Sequence, residues 1–134
     1  MLFALHRNQV EGYSSGQTPI LHLVTSTARL IETEHQFVFS DGHATMRLSR
    51  FFTDAADLDQ IDWPLMQEQY WNDTPEDPDR KRRRQAEFLV YNRVDLSALI
   101  GIGVIDTRIE ERVNTILAQH GISLPVRVRR QWYY

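Results

Sequence analysis

Apolar positions in this chain come in short bursts separated by polar turns, and their period changes along the sequence. Residues 18–24 are dense in aliphatic side chains (Ile20, Leu21, Leu23, Val24) and read as a strand. Ser26 stands where a cap would open a short helix running through Glu34. Residues 36–39 read as a second strand, closed by the turn signal Asp41-Gly42, and residues 43–52 mix strand and loop signals. Leu58 and Ile61 lie at helical spacing in polar residues 54–62. Trp63-Pro64 then predicts a helix start, because proline is tolerated in a first turn, and that helix is expected to reach about Trp71. Residues 72–79, with two prolines and four acids, predict a loop. Residues 86–91 alternate as a strand does, with Ala86, Phe88 and Val90 on one face and Glu87, Leu89 and Tyr91 on the other. Residues 99–105 predict a strand whose Gly101 and Gly103 leave room for close backbone approach. Residues 107–120 predict an amphipathic helix with Ile109, Val113, Ile116 and Leu117 on one stripe and Gly121 as its C-cap. Residues 125–129 predict a last strand with Val126 and Val128 facing one way and arginines the other. Trp132-Tyr133-Tyr134 then reads as a docked final strand or a lid over the sheet.

These elements predict one α+β domain, residues 1–134, with a mixed or largely antiparallel sheet. A hydrophobic content of 42% and a charged content of 25% are ordinary for a soluble globular protein. No apolar run approaches the roughly 18 residues that span a bilayer, so no membrane association and a cytoplasmic location are expected. The absence of cysteine excludes disulfides, thiolate catalysis and Cys-ligated metal. The histidines share no ligand spacing, so no metal is expected. The glycine-rich phosphate fingerprints G-x-G-x-x-G and G-x-x-x-x-G-K-[ST] are absent, as is the G-x-S-x-G elbow; a Rossmann dehydrogenase, a P-loop ATPase and an α/β-hydrolase are therefore disfavoured.

Charge sharpens the picture. The formal net charge is −3, yet the cations cluster as Arg80-Lys81-Arg82-Arg83-Arg84 and again at Arg127, Arg129 and Arg130. Such a block is either a solvated, self-paired surface or a cradle for phosphates. Glu87 sits where the first block runs into the apolar strand. It reads as a carboxylate acting on a bound substrate, kept ionised by neighbouring guanidiniums, or as a strand residue paired with Arg83 or Arg84. His43, after the Asp41-Gly42 turn, is either a proton carrier or a turn histidine bonded to backbone. Trp63, Tyr70 and Trp71 fall on one proposed helix and read as core anchors, with base stacking as the alternative.

Several segments taken together resemble the DarT family of single-stranded-DNA thymidine ADP-ribosyltransferase toxins. They are Met1-Leu2-Phe3-Ala4-Leu5-His6-Arg7, Ile20-Leu21-His22-Leu23-Val24, Phe37-Val38-Phe39-Ser40-Asp41-Gly42-His43-Ala44, Ile61-Asp62-Trp63, residues 80–90, and the Pro125-Val126 and Trp132-Tyr133-Tyr134 end. The string Arg82-Arg83-Arg84-Gln85-Ala86-Glu87-Phe88-Leu89-Val90 is the most specific. The resemblance implies an ADP-ribosyltransferase-like split mixed sheet flanked by short helices, with NAD+ as co-substrate held in a cleft. It covers the C-terminal two-thirds of such a domain. The family's N-terminal strand region, with a histidine and an arginine that help bind NAD+, would precede Met1.

By the same resemblance Glu87 is the catalytic glutamate. Arg82, Arg83 and Arg84 correspond to the loop facing the target nucleotide, and His43 to a site histidine on the DNA or NAD+ side. The implied reaction transfers ADP-ribose from NAD+ to a thymine (in a related branch, a guanine) of single-stranded DNA without a metal. A carboxylate would stabilise an oxocarbenium-like ribose and take a proton from the base. The implied partners are single-stranded DNA and a macrodomain antitoxin of the DarG type. Self-association through an exposed sheet edge is also expected. The alternative reading is a non-catalytic single-stranded nucleic-acid binder that uses the cationic loop.

Overall fold

The computed structural model describes residues 10–68, 70 and 72–133. Expectations placed on residues 1–9, Gln69, Trp71 and Tyr134 lie outside the described residues. In chain order the elements are β1 (His22–Val24), α1 (Thr27–Glu32), β2 (Phe37–Ser40), β3 (Phe51–Phe52), α2 (Trp63–Gln67), α3 (Arg80–Arg83), β4 (Phe88–Val90), β5 (Gly101–Val104), α4 (Thr107–Gln119) and β6 (Val126–Val128). Tighter 3-10 turns occupy Ala55–Gln60, Leu96–Ala98 and Arg130–Trp132. Contacts divide the chain into two compact units, Met1–Arg29 with Asp95–Tyr134, and Leu30–Val94.

The first unit is built on a mixed sheet of order β1-β5-β6. β1 runs antiparallel to β5 and β6 runs parallel to it, the chain crossing between the last two through α4. All four residues of β5 are buried, and Ile102, Val104 and Val126 pack with Ile109 and Val113 of α4. The predicted stripe is therefore correct in place but narrower than expected. Leu117 is only partly buried and Ile116 stays exposed. Asp106 opens α4 by accepting the Ile109 N–H at 2.9 Å, satisfying a donor that the first turn leaves free. At the other end Gly121 takes φ 65°, which lets Ile122 N–H reach the Leu117 carbonyl at 2.9 Å.

The C-terminal segment corrects the expectation of a final strand. Arg130–Trp132 is a 3-10 turn that lays the Trp132 ring against Gly103 and edge-on to His22, with ring centroids 5.4 Å apart. A side chain at residue 103 would occupy the space of that ring. Tyr133 donates its hydroxyl to the Ile20 carbonyl at 2.8 Å, and burial holds its phenol above the ordinary value.

The second unit holds an antiparallel sheet of order β3-β2-β4. The register sets Phe39 opposite both Phe52 and Phe88. Their rings stack at 5.3 and 5.9 Å, and Phe37 adds a further stack on Phe88 at 4.9 Å. This cross-strand aromatic column, on one face because strand side chains alternate, does much to fix the pairing of β2 with β4. Leu30, Phe39, Ile61 and Leu65 are the buried apolar side chains of this unit.

Two expectations fail here. The helix opened by Trp63-Pro64 ends at Gln67, little more than one turn on, and the placing of Trp63 and Tyr70 in the core does not hold. Leu65 is the residue α2 buries, whereas Trp63 is 50% and Tyr70 67% exposed. Among the described residues, no helix is long and apolar enough to cross a membrane.

Candidate active site

β2 ends on a buried serine. Ser40 is 1% exposed, and its hydroxyl donates to the Gly42 carbonyl at 2.6 Å, folding the chain sharply through Asp41-Gly42-His43. Asp41 closes the loop that follows. Its carboxylate accepts the Arg50 backbone N–H and the Arg50 Nε–H, both at 2.9 Å. Within that loop the Ser49 hydroxyl donates to the His43 carbonyl at 2.8 Å.

Glu87 comes to the same place from the other strand. Ser40 N–H donates to the Glu87 carbonyl at 2.9 Å, and Glu87 N–H donates to Ser40 Oγ at 3.3 Å. These bonds continue the β2–β4 pairing one step beyond Phe39 and Phe88. The outcome is a carboxylate and an imidazole face to face, His43 Nδ1 lying 3.7 Å from Glu87 Oε1. Each side chain is 37% exposed, so the pair is open to a ligand without being loose in solvent. At 3.7 Å the contact is a charge interaction rather than a hydrogen bond, and only when the ring is protonated. In the neutral ring Nδ1 accepts the Thr45 N–H at 3.3 Å. Neither side chain lines the apolar groove of about 410 Å³ along the far end of β2 and β4, which is formed by Gln36, Phe37, Val38, Leu89, Val90, Tyr91 and Asn92.

The basic block folds differently from expectation. It is not an open loop; Arg80–Arg83 form a single helical turn, α3, whose three arginines pair with acids while Lys81 stays exposed. Arg82 is 11% exposed and grips Asp79 with two bonds of 2.7 Å, from Nε to Oδ1 and from Nη2 to Oδ2. Its Nη1 donates to Asp41 Oδ1 at 3.0 Å and to Ser49 Oγ at 3.2 Å. Arg83 pairs with Asp62 and, at 2.5 Å, with Asp77. Arg80 pairs with Glu68 and donates to the Tyr70 carbonyl at 2.8 Å. Arg84 donates to the Glu68 carbonyl at 3.2 Å.

The electrostatics follow this pairing. Hydrogen bonds from Arg82, against the opposing effect of burial, hold the Asp79 carboxyl below its ordinary value. Burial works against ionisation of Asp41, but the bonds from Arg50 and Arg82 outweigh it, and that carboxyl is also lowered. Arg82 is pushed up in turn, first by its bonds to Asp79.

The predicted residues are therefore only partly brought together. Glu87 and His43 meet; Arg82 joins them through its backbone, its carbonyl accepting the His43 N–H at 3.0 Å. The expected guanidiniums beside Glu87 are not there: among the described residues, no arginine of the block pairs with that carboxylate, because five acids (Asp41, Asp62, Glu68, Asp77, Asp79) take up Arg80, Arg82 and Arg83. The same pairing occupies the charges of Arg80, Arg82 and Arg83, while Lys81 of the block stays exposed. Ser40, Asp41 and Asp79 were missed as parts of this arrangement. The only hint was the acid three residues before Arg82, a spacing that suits a side-chain pair on one helical turn. Among the described residues, no group of three or more His, Asp or Glu side chains is placed to hold a metal ion.

Comparison with known proteins matches the chain to a family. The family model described as "ssDNA thymidine ADP-ribosyltransferase, DarT" matches residues 1–134. A DNA ADP-ribosyl transferase of Thermus aquaticus is 41% identical over 136 residues, which cover 100% of this chain and 58% of that protein. The structure of Thermus sp. 2.9 DarT in complex with NAD+ superposes with a TM-score of 0.87 at 38% identity, over 99% of this chain and 66% of that one. The same protein in complex with ADP-ribosylated ssDNA gives a TM-score of 0.89, over 99% of this chain and 63% of that one. The chain thus spans about six-tenths of the length of these relatives. The mixed α+β architecture is that of a DarT-type ADP-ribosyltransferase, and the chain belongs to the DarT family.

Proposed function

We propose that this chain carries the chemistry of ADP-ribose transfer from NAD+ to a thymine of single-stranded DNA, with residues 1–134 acting as one domain. The observation that carries the reading is the half-exposed Glu87 carboxylate facing His43 at 3.7 Å, at the start of β4 in the segment most specific to the family. Support comes from relatives whose structures hold NAD+ and ADP-ribosylated ssDNA.

The steps follow from charge. The bond between ribose C1′ and the nicotinamide nitrogen breaks, its electron pair leaves with neutral nicotinamide, and the sugar gains oxocarbenium character. A carboxylate beside the ribose hydroxyls stabilises that cation more than it stabilises the ground state. A ring nitrogen of thymine then forms the new bond to C1′, and its proton passes to the Glu87 carboxylate. His43 flanks the reacting groups on the nucleotide side, and Arg82, Arg83 and Arg84 form the adjoining segment. The base must be unpaired to reach such a site, which favours single-stranded substrate. A macrodomain of the DarG type is the proposed antagonist.

The test is incubation with NAD+ and a thymidine-containing oligonucleotide, read by mass. A gain of one ADP-ribose per oligonucleotide, lost in Glu87→Gln, is the expected result. Equal modification by Glu87→Gln would remove Glu87 from the mechanism, and no modification by the parent chain would overturn the reading.

A further inference from the structure

The arginine that the sequence marks for a ligand is the one the fold has used most completely. Arg82 makes four side-chain hydrogen bonds from the five N–H groups a guanidinium owns, and all four go to Asp79, Asp41 and Ser49. Its side chain runs across Gly42: a Cβ built on residue 42 would stand 3.0 Å from both Cγ and Cζ of Arg82 and would collide with Nη1. Residue 42 is buried, so the missing side chain is filled by arginine rather than by water.

From this seat Arg82 reaches His43 by two routes. Its carbonyl accepts the His43 N–H at 3.0 Å. Its Nη1 donates to Ser49 Oγ, and the Ser49 hydroxyl donates to the His43 carbonyl at 2.8 Å. The peptide groups on both sides of His43 are thus tied to one residue. On the far side Ser40 links the Gly42 carbonyl to the Glu87 N–H. The imidazole and the carboxylate meet because this turn is held at both ends.

We propose that Arg82 is a positioning residue of the Glu87 site: seated in the space left by Gly42, it sets the approach of His43 to Glu87 and does not itself contact nucleic acid. The inference rests on the reading of Glu87 as the reacting carboxylate, yet its geometric content stands apart from activity. Arg→Lys at this position keeps the charge but loses the planar fork that spans two carboxylates. Gly42→Ala keeps every charge and displaces the guanidinium.

The experiment uses the full chain and two readouts. The first is the imidazole spectrum of His43 by NMR. In the parent, Glu87→Gln is expected to move the His43 ring resonances. In Arg82→Lys and in Gly42→Ala that response is expected to vanish, because the two side chains no longer face each other. The second is the salt dependence of oligonucleotide binding. A single-strand phosphate contact contributes about 0.7 to the log–log slope. Arg82→Gln is expected to leave the slope unchanged. A His43 response to Glu87→Gln that persists in both Arg82→Lys and Gly42→Ala overturns the proposal, as does a slope lowered by about 0.7 in Arg82→Gln. A parent chain that transfers no ADP-ribose sinks the catalytic reading alone, since the NMR coupling still decides whether Arg82 positions His43.

Discussion

Ser40 and Glu87 are linked in both directions: the Ser40 N–H donates to the Glu87 carbonyl at 2.9 Å, and the Glu87 N–H donates to the Ser40 hydroxyl oxygen at 3.3 Å. The hydroxyl in turn donates a hydrogen bond to the Gly42 carbonyl at 2.6 Å. One buried serine therefore joins the strand that brings Glu87 to the turn that brings His43. Ser40→Ala leaves a buried N–H and a buried carbonyl without this partner. It is expected to destabilise the chain by about 1–3 kcal/mol, read as a shift in the urea midpoint at constant slope. A midpoint equal to the parent's would mean that the hydroxyl is not needed there.

Glu87→Gln is expected to separate chemistry from folding. The side chain is more than a third exposed and its described ionic neighbour is His43, so the change in stability should stay within about 0.5 kcal/mol. Transfer to the oligonucleotide should fall by about 10²–10⁴-fold, the usual range for a lost acid–base group. Glutamine keeps the shape but carries no charge and cannot take the proton. A large loss of stability would instead assign the residue to the fold.

Stability should depend on acid in a way set by Asp41 and Asp79. Both carboxyls are held below their ordinary value of 3.8, Asp79 by its bonds from Arg82 and Asp41, against burial, first by Arg50 and then by Arg82. In the window just below that value the unfolded chain binds protons that the folded chain does not. Stability therefore rises with pH through the window. The contribution is fully present above the unfolded value and is lost as pH falls through the folded ones. Denaturation midpoints taken at about pH 5 and about pH 3 should fall on acidification. Asp41→Asn should start lower and fall less, and an equal fall in both proteins would count against this assignment.

Gly103 offers a test of the C-terminal docking. A Cβ at that position would stand 2.7 Å from Cε3 of Trp132 and 3.4 Å from Cβ of His22. Gly103→Ala must push the indole off the sheet or strain β5, and overpacking of this kind costs about 1–3 kcal/mol. Thermal melting of the variant should register the loss. An unchanged melt would show that the Trp132 contact adds nothing to the fold.

How much of this was legible in advance differs by the range of the interaction. The strands read at 36–39 and 86–91, the Asp41-Gly42 turn, the amphipathic helix read at 107–120 and its Gly121 cap are local patterns, and the sequence by itself determined them to within a residue or two at each end. The Trp63-Pro64 start marks where a helix opens but not where it stops, and the helix ends at Gln67. The short helix buries Leu65 and leaves Trp63 half in solvent.

The string of arginines fixed that many cations would lie together, and the resemblance marked Glu87 beside them. Which carboxylate each guanidinium would meet was decided only by the tertiary structure. Arg82 lies 41 positions from Asp41 and Arg83 lies 21 from Asp62, and neither separation leaves a periodic trace in the chain. Strands and helices announce themselves through repeating contacts with near neighbours, whereas a desolvated ion pair depends on where two remote segments are brought to rest by packing. That is why the sequence set Glu87 beside guanidiniums without fixing their partners, and the fold paired Arg82 and Arg83 with aspartates and set Glu87 opposite His43.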